Sequence, residues 1–162
     1  MKNKMFLLIG IGVLLLVIIV VLCIIFRPKK VEISQIKRLH FSYSQGYAIY
    51  SNIEYELEYK DSKYIATVKP YGVAEEYKRE INVTEDFVKK VEEVLSENEV
   101  GSWDGFKKSD KNVLDGDSFS MYIDFVDGTS ISANGYMSWP KNYSTVRNKL
   151  DDIFMGLYNS TY

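Results

Sequence analysis

The chain is poor in the residues that build disulfides, metal centres and nucleophile-based catalytic sites. Its 162 residues include one cysteine, Cys23, and one histidine, His40. A lone cysteine cannot form an intrachain disulfide, so a disulfide scaffold is excluded. No G-x-S-x-G, H-E-x-x-H or C-x-x-C motif occurs in the sequence. His40 has no second histidine to share a site with, and we interpret it as an ordinary surface residue.

The chain also lacks an excess of positive charge. It has 22 acidic and 20 basic residues, and the acidic ones all follow residue 30. Binding to nucleic acid depends on a concentrated basic surface that releases counterions. No such cluster is found, so no nucleic-acid partner is expected.

One long hydrophobic run, Met5–Phe26, contains no charged residue. At the rise of an α-helix it extends about 33 Å, slightly more than the ~30 Å hydrocarbon core of a bilayer. The run is much longer than the apolar part of a cleaved signal peptide, and no A-x-A site follows it. Leu22 before Cys23 also differs from the small residue of a lipoprotein signal. The sequence therefore predicts a single-pass signal anchor whose partner is the lipid bilayer.

The anchor divides the chain into four parts. These are a short tail at 1–4, the transmembrane helix at 5–26, a basic juxtamembrane linker at 27–32 and a soluble domain at 33–162. Basic residues flank the span on both sides, so the positive-inside rule gives almost no preference. Because long domains cross membranes largely regardless of charge, we expect the domain outside the cytoplasm, at the cell membrane.

The soluble domain is predicted to be α+β. Apolar and polar residues alternate from Leu39 and from Ile53, which predicts two strands. A β-branched strand is predicted from Lys63 to Lys69, and a fourth strand from Glu76 to Val83 after a turn signal. Thr84 is placed to cap a helix that ends near Gly101, and a last helix begins near Asn142. Between them lies a hairpin. The predicted fold is an antiparallel sheet of about six strands with two covering helices, in the order ββββαββα.

The hairpin has two possible registers. Its first strand ends at Phe125, and Asp127-Gly128 turns the chain. A three-residue loop with Gly128 in the left-handed conformation sets Ile123 opposite Ile131. A two-residue turn would instead set Ile123 opposite a serine, so we predict the first register.

The aspartates supply two candidate chemistries. A calcium loop starting at Asp110 fails, because its fifth and sixth positions are Leu114 and Asp115. A hydrolase needs two carboxylates that share a cleft, for which the candidates are Asp104, Asp115, Asp117, Asp124 and Asp127. Spacing alone does not bring any two of them together. We therefore predict no metal, no cofactor and no enzymatic activity.

Aromatic residues in two loops give the most informative pattern. The ends of the two antiparallel hairpin strands share one edge of the sheet, so the loops attached there should meet. This places together Trp103, Phe106, Asp117, Tyr136 and Trp139. One interpretation is an aromatic seal on the end of the core. The other is a contact patch for a ligand or a protein.

Four motifs carry a resemblance to known proteins. They are W-D-G-F at 103–106, L-D-G-D-S-F-S at 114–120, D-G-T-S-I-S-A-N-G-Y at 127–136 and P-K-N-Y at 140–143. With the anchor, they resemble a family of small bacterial single-span membrane proteins of unknown function. The resemblance implies an extracytoplasmic domain and supplies no catalytic residue or cofactor.

The predicted function is a membrane-anchored extracytoplasmic binding or interaction module with an envelope protein or ligand as partner. The alternatives are an immunity-type inhibitor at the cell envelope and a hydrolase that uses loop aspartates.

The predicted orientation can be tested with a reporter that is active only outside the cytoplasm. Fused after Tyr162, it should be active, and cell fractionation should leave the fusion in the membranes. An inactive reporter at normal expression would place the domain inside.

Overall fold

The structure is a computed structural model that describes residues 14–19, 30–46 and 52–160. Residues 14–19 are helical. Most of the predicted span, Met5–Phe26, lies outside the described residues. Within them, no helix is both long and apolar enough to cross a membrane.

The described chain forms an α+β domain, as predicted. Its seven strands are β1 (Ile36–Ser44), β2 (Asn52–Lys60), β3 (Lys63–Lys69), β4 (Arg79–Val83), β5 (Lys107–Ser109), β6 (Ser118–Phe125) and β7 (Ser130–Tyr136). Its two long helices are α1 (Glu85–Glu97), after β4, and α2 (Tyr143–Ser160), after β7. Short 3-10 turns lie at Glu75–Tyr77 and Val100–Trp103.

The strands form one sheet in the order β4-β3-β2-β1-β6-β7-β5. Every neighbouring pair is antiparallel except β5 and β7, which run parallel. The hairpin has the predicted register, with Ile123 opposite Ile131. Gly128 has φ 84° there, a left-handed conformation that glycine adopts without steric cost.

Two predictions about the strands need correction. The described sheet has seven strands rather than about six, because β5, whose three residues are too few to show a period, pairs with β7 at the edge. The fourth strand was expected from Glu76 but begins at Arg79, because Glu75–Tyr77 forms a 3-10 turn.

The sheet buries one face against both helices. Leu39, Phe41, Leu57 and Ile123 point to that face and are fully or almost fully buried. Between them, the alternate residues of β1 and β2 lie on the opposite face, here called the open face, where most of them are partly exposed. The alternation read from the sequence is therefore the alternation of the two faces.

The first helix begins as predicted and ends earlier than expected. Thr84 caps it by accepting a hydrogen bond from the Phe87 amide. The helix ends at Glu97, and Glu99 rather than Gly101 takes the left-handed conformation after it, with φ 58°. Gly101 has another role, because a Cβ there would overlap the Val31 carbonyl oxygen. This glycine lets the linker pack against the turn after α1.

Two aspartate substitutions in β6 test the one-sided burial. Ile123→Asp should lower the free energy of unfolding by at least about 3 kcal/mol, because it buries an unpaired charge between Leu39 and Ile131. Tyr122→Asp, one residue earlier on the open face, should change it by less than about 1 kcal/mol.

Urea unfolding of the fragment 31–162 measures both variants. Equal losses would mean that the open face is covered as well.

Candidate ligand-binding cleft

The two aromatic loops meet at the end of the sheet where β1 stops and β6 starts. Phe119 is the centre of the cluster, with ring centroids 6.1 Å from Trp103, 6.1 Å from Phe106 and 5.7 Å from Trp139. Tyr143, the first residue of α2, lies 4.7 Å from Phe119. The structure therefore brings together three of the five residues predicted for the patch.

The two tryptophans have different environments. Trp103 is 1% exposed, and its indole nitrogen donates a hydrogen bond to the Lys141 carbonyl oxygen at 3.0 Å. Trp139 is 39% exposed, and its ring stacks on Tyr143 with centroids 4.6 Å apart. Trp103 thus belongs to the core, whereas Trp139 presents part of its ring to solvent from a fixed position.

The other two predicted residues organise the loop before β6. The Tyr136 hydroxyl accepts from the Gly116 amide at 2.8 Å and donates to the Val113 carbonyl oxygen. An oxygen of the Asp117 carboxylate accepts from the Gly46 amide at 3.1 Å. Tyr136 holds the loop in place, and Asp117 joins Trp139 in the wall of a cleft.

This cleft is a cavity of about 130 Å³ between the end of the sheet and the start of α2. Its walls combine an aromatic surface, two opposite charges and several hydroxyl and amide groups. The residues that line the cleft are Tyr43, Ser44, Gln45, Asp117, Ser118, Trp139, Tyr143, Ser144 and Arg147.

The hydroxyls of Ser44 and Ser118 hydrogen-bond to each other at 2.8 Å across the ends of β1 and β6. Arg147 lies on the α2 side, with its guanidinium carbon 5.4 Å from the centre of the Tyr43 ring. A guanidinium above an aromatic ring gains electrostatic attraction from the ring face. This contact helps to keep Arg147 at the cleft.

A half-buried carboxylate supports the floor of the cleft. Asp151 accepts one hydrogen bond on each oxygen, from the Tyr43 hydroxyl at 2.8 Å and the Tyr55 hydroxyl at 2.9 Å. Burial raises the pKa of Asp151 above its usual value, although the two tyrosine hydrogen bonds oppose that shift. Burial also raises the pKa of both tyrosines, so their hydroxyls remain donors at neutral pH.

Four of the aspartates considered for hydrolysis or calcium binding have structural hydrogen bonds. Asp104 accepts from the Ser132 amide at 3.1 Å, and Asp124 accepts from the Tyr122 hydroxyl at 2.6 Å. Asp127 accepts from the amide and hydroxyl of Thr129. Asp110 accepts from the Asn112 amide in the same way. These bonds favour a role in turns and strand ends.

The cleft also contains Tyr43, Ser44 and Arg147, which were not predicted from the sequence. One signal was present, since Tyr143, Arg147 and Asp151 are spaced by four and therefore share one face of α2. Nothing local indicated that this face would lie against the end of β1. That juxtaposition depends on contacts 96 to 108 residues apart along the chain.

Comparison with protein-family models and with curated proteins finds no match to the chain. The resemblance to small bacterial anchored proteins therefore stays a prediction. The function must be argued from the geometry of the described residues.

Replacing each tryptophan by alanine distinguishes a residue that seals the core from one that forms the exposed wall of the cleft. Trp103→Ala should lower the free energy of unfolding by about 3–5 kcal/mol, because it empties a site in the core. Trp139→Ala should cost at most about 2 kcal/mol, because part of the ring is already in water.

Urea midpoints of the fragment 31–162 provide the comparison. A loss for Trp139→Ala as large as that for Trp103→Ala would show that Trp139 is a structural residue only.

Proposed function

We propose that this protein is a membrane-anchored extracytoplasmic binding module that holds one polar group of a ligand or an envelope protein in the cleft. The observation that carries the proposal is the half-exposed Trp139 ring, held in place beside Arg147 and Asp117. Tryptophan, tyrosine and arginine are the residues that most often dominate binding energy at interfaces.

The wall of the cleft is preorganised. Trp139 is stacked on Tyr143, and Tyr143 is in turn packed between Phe41 and Phe119. A rigid aromatic surface loses little conformational entropy when a partner binds to it. Trp139 is therefore suited to contact an incoming group without rearrangement.

The size and charge of the cleft indicate which kind of chemical group can bind in it. Its volume of about 130 Å³ is below the roughly 300–1,000 Å³ of pockets for drug-sized ligands. It holds one side chain or one sugar unit, while the rest of a larger partner remains outside. Because Arg147 and Asp117 carry opposite charges, the group should have both hydrogen-bond donors and acceptors.

The linker from the proposed anchor is fixed close to this region. The Val31 amide donates to the Gly101 carbonyl oxygen at 3.0 Å, in the same 3-10 turn as Trp103. The Lys30 ammonium lies 3.9 Å from the Glu99 carboxylate. If Met5–Phe26 spans the bilayer, this docking holds the domain close to the membrane, where a membrane or envelope partner can reach the cleft.

Cross-linking of the full-length chain in intact cells tests the proposal. A partner should be captured by the parent protein, and Trp139→Ala and Arg147→Ala should each reduce capture at least about tenfold. The matched controls are Tyr77→Ala, an exposed aromatic elsewhere, and Lys149→Ala, an exposed cation on α2 that pairs with Glu97. Neither control should affect capture.

Equal capture by all four variants would overturn the assignment of the cleft. Capture of a secreted toxin would identify the module as an immunity-type inhibitor.

A further inference from the structure

A second group of polar residues lies on the open face of the sheet, away from the cleft. His40 is directly opposite Glu56 in the pairing of β1 with β2, and Glu54 lies two residues away on the same face. The His40 Nδ1 atom is 3.3 Å from the Glu56 Oε1 atom and 3.5 Å from the Glu54 Oε1 atom. One imidazole and two carboxylates therefore converge on one point.

The neighbouring cations are engaged elsewhere. Lys69 and Lys78 both bind Glu75, with nitrogen–oxygen distances of 2.9 Å and 3.1 Å. Arg38 binds Glu58, two residues beyond Glu56 on β2, at 2.8 Å. Among the described residues, His40 is the one ion-pair partner within 4 Å of Glu54 or Glu56.

The two carboxylates thus share one ion-pair partner, His40, while Lys78 attracts both of them from a longer distance. Even a protonated imidazole carries a single charge, and it would have to serve both. The side chain of Glu54 is only 18% exposed, which limits how much water can solvate it. A carboxylate removed from water needs a compensating cation or hydrogen bonds.

We propose that His40, Glu54 and Glu56 form a Zn²⁺ site on the open face of the sheet. Zinc accepts imidazole nitrogen and carboxylate oxygen, whereas Mg²⁺ and Ca²⁺ prefer oxygen ligands alone. Three protein ligands leave a fourth position for water or for a group of another molecule.

Two of the three distances between ligand atoms fit a tetrahedral site. Ligand atoms about 2.0–2.1 Å from zinc stand about 3.3–3.4 Å from one another at tetrahedral angles. The two distances from His40 Nδ1, 3.3 Å and 3.5 Å, already match this spacing. All three ligand atoms lie within 4.8 Å of one another, so rotation of the glutamate side chains can bring the third distance to the same spacing.

The site is also accessible. A surface depression of about 350 Å³ is lined by His40 and Glu56 together with the Arg38–Glu58 pair. The depression gives a metal ion a path from solvent and leaves room for its fourth ligand. Strands that pair along their full length hold the backbone of the three ligands in register, so only side-chain rotation is needed when the metal binds.

Calorimetric titration of the purified full-length chain with ZnCl₂ tests the proposal. Any polyhistidine tag must be removed, and Cys23→Ser in every sample eliminates the only thiol. We expect one saturable site, with affinity reduced at least about tenfold by His40→Gln, Glu54→Gln and Glu56→Gln. The matched control is Glu58→Gln, which removes the next carboxylate on the same face and should leave the affinity unchanged.

A second readout does not depend on substitutions. Because His40 is the only histidine, its ring proton signals in an NMR spectrum are unambiguous once a tag is absent. They should shift or broaden with Zn²⁺ up to one equivalent and remain unchanged with Mg²⁺. Absence of saturable binding, or binding that His40→Gln leaves intact, would overturn the proposal.

Discussion

The structure depends above all on the pairing of β1 with β6. This ladder joins the first strands of the domain to the C-terminal hairpin, which lies about 80 residues further along the chain. Its middle places Leu39 opposite Ile123 in the core. Its end places Ser44 opposite Ser118, which forms one side of the cleft. Without it, neither the covered face nor the cleft would exist.

Because side chains in a strand alternate between faces, β1 contributes to two different surfaces. Phe41 and Tyr43 point to the helices, and His40 between Leu39 and Phe41 points away from them. The cleft at the end of the sheet and the proposed zinc site on its open face therefore share β1 but have no lining side chain in common.

The network around Asp151 shows how the domain tolerates a charge against its core. Removing a carboxylate from water is costly unless hydrogen bonds compensate, and each of its oxygens has a tyrosine donor. The same tyrosines connect α2 to β1 and β2, so the polar network also fixes where the helix lies. Arg147, one turn earlier on α2, is held at the cleft as a consequence.

The sequence by itself determined the features that depend on local periodicity. Alternation fixed the inward faces of β1, β2 and β6, and the requirement to keep Ile123 buried selected the hairpin register. The Thr84 cap and the apolar stripes located both helices. These patterns repeat every two or every 3.6 residues, so a short stretch of chain contains them completely.

Only the tertiary structure decided the features that join distant segments. Trp103 and Trp139 are the same residue type in similar loops, and their different exposures follow from what packs against each of them. Gly101 was expected to end a helix, but its actual role is to admit the backbone at Val31. The surroundings of His40 also depend on tertiary structure. The sequence offers it no second histidine, but the pairing of β1 with β2 places two carboxylates beside it. Contacts between segments depend on strand order and helix placement, and these follow from burial summed over the whole chain rather than from any local pattern.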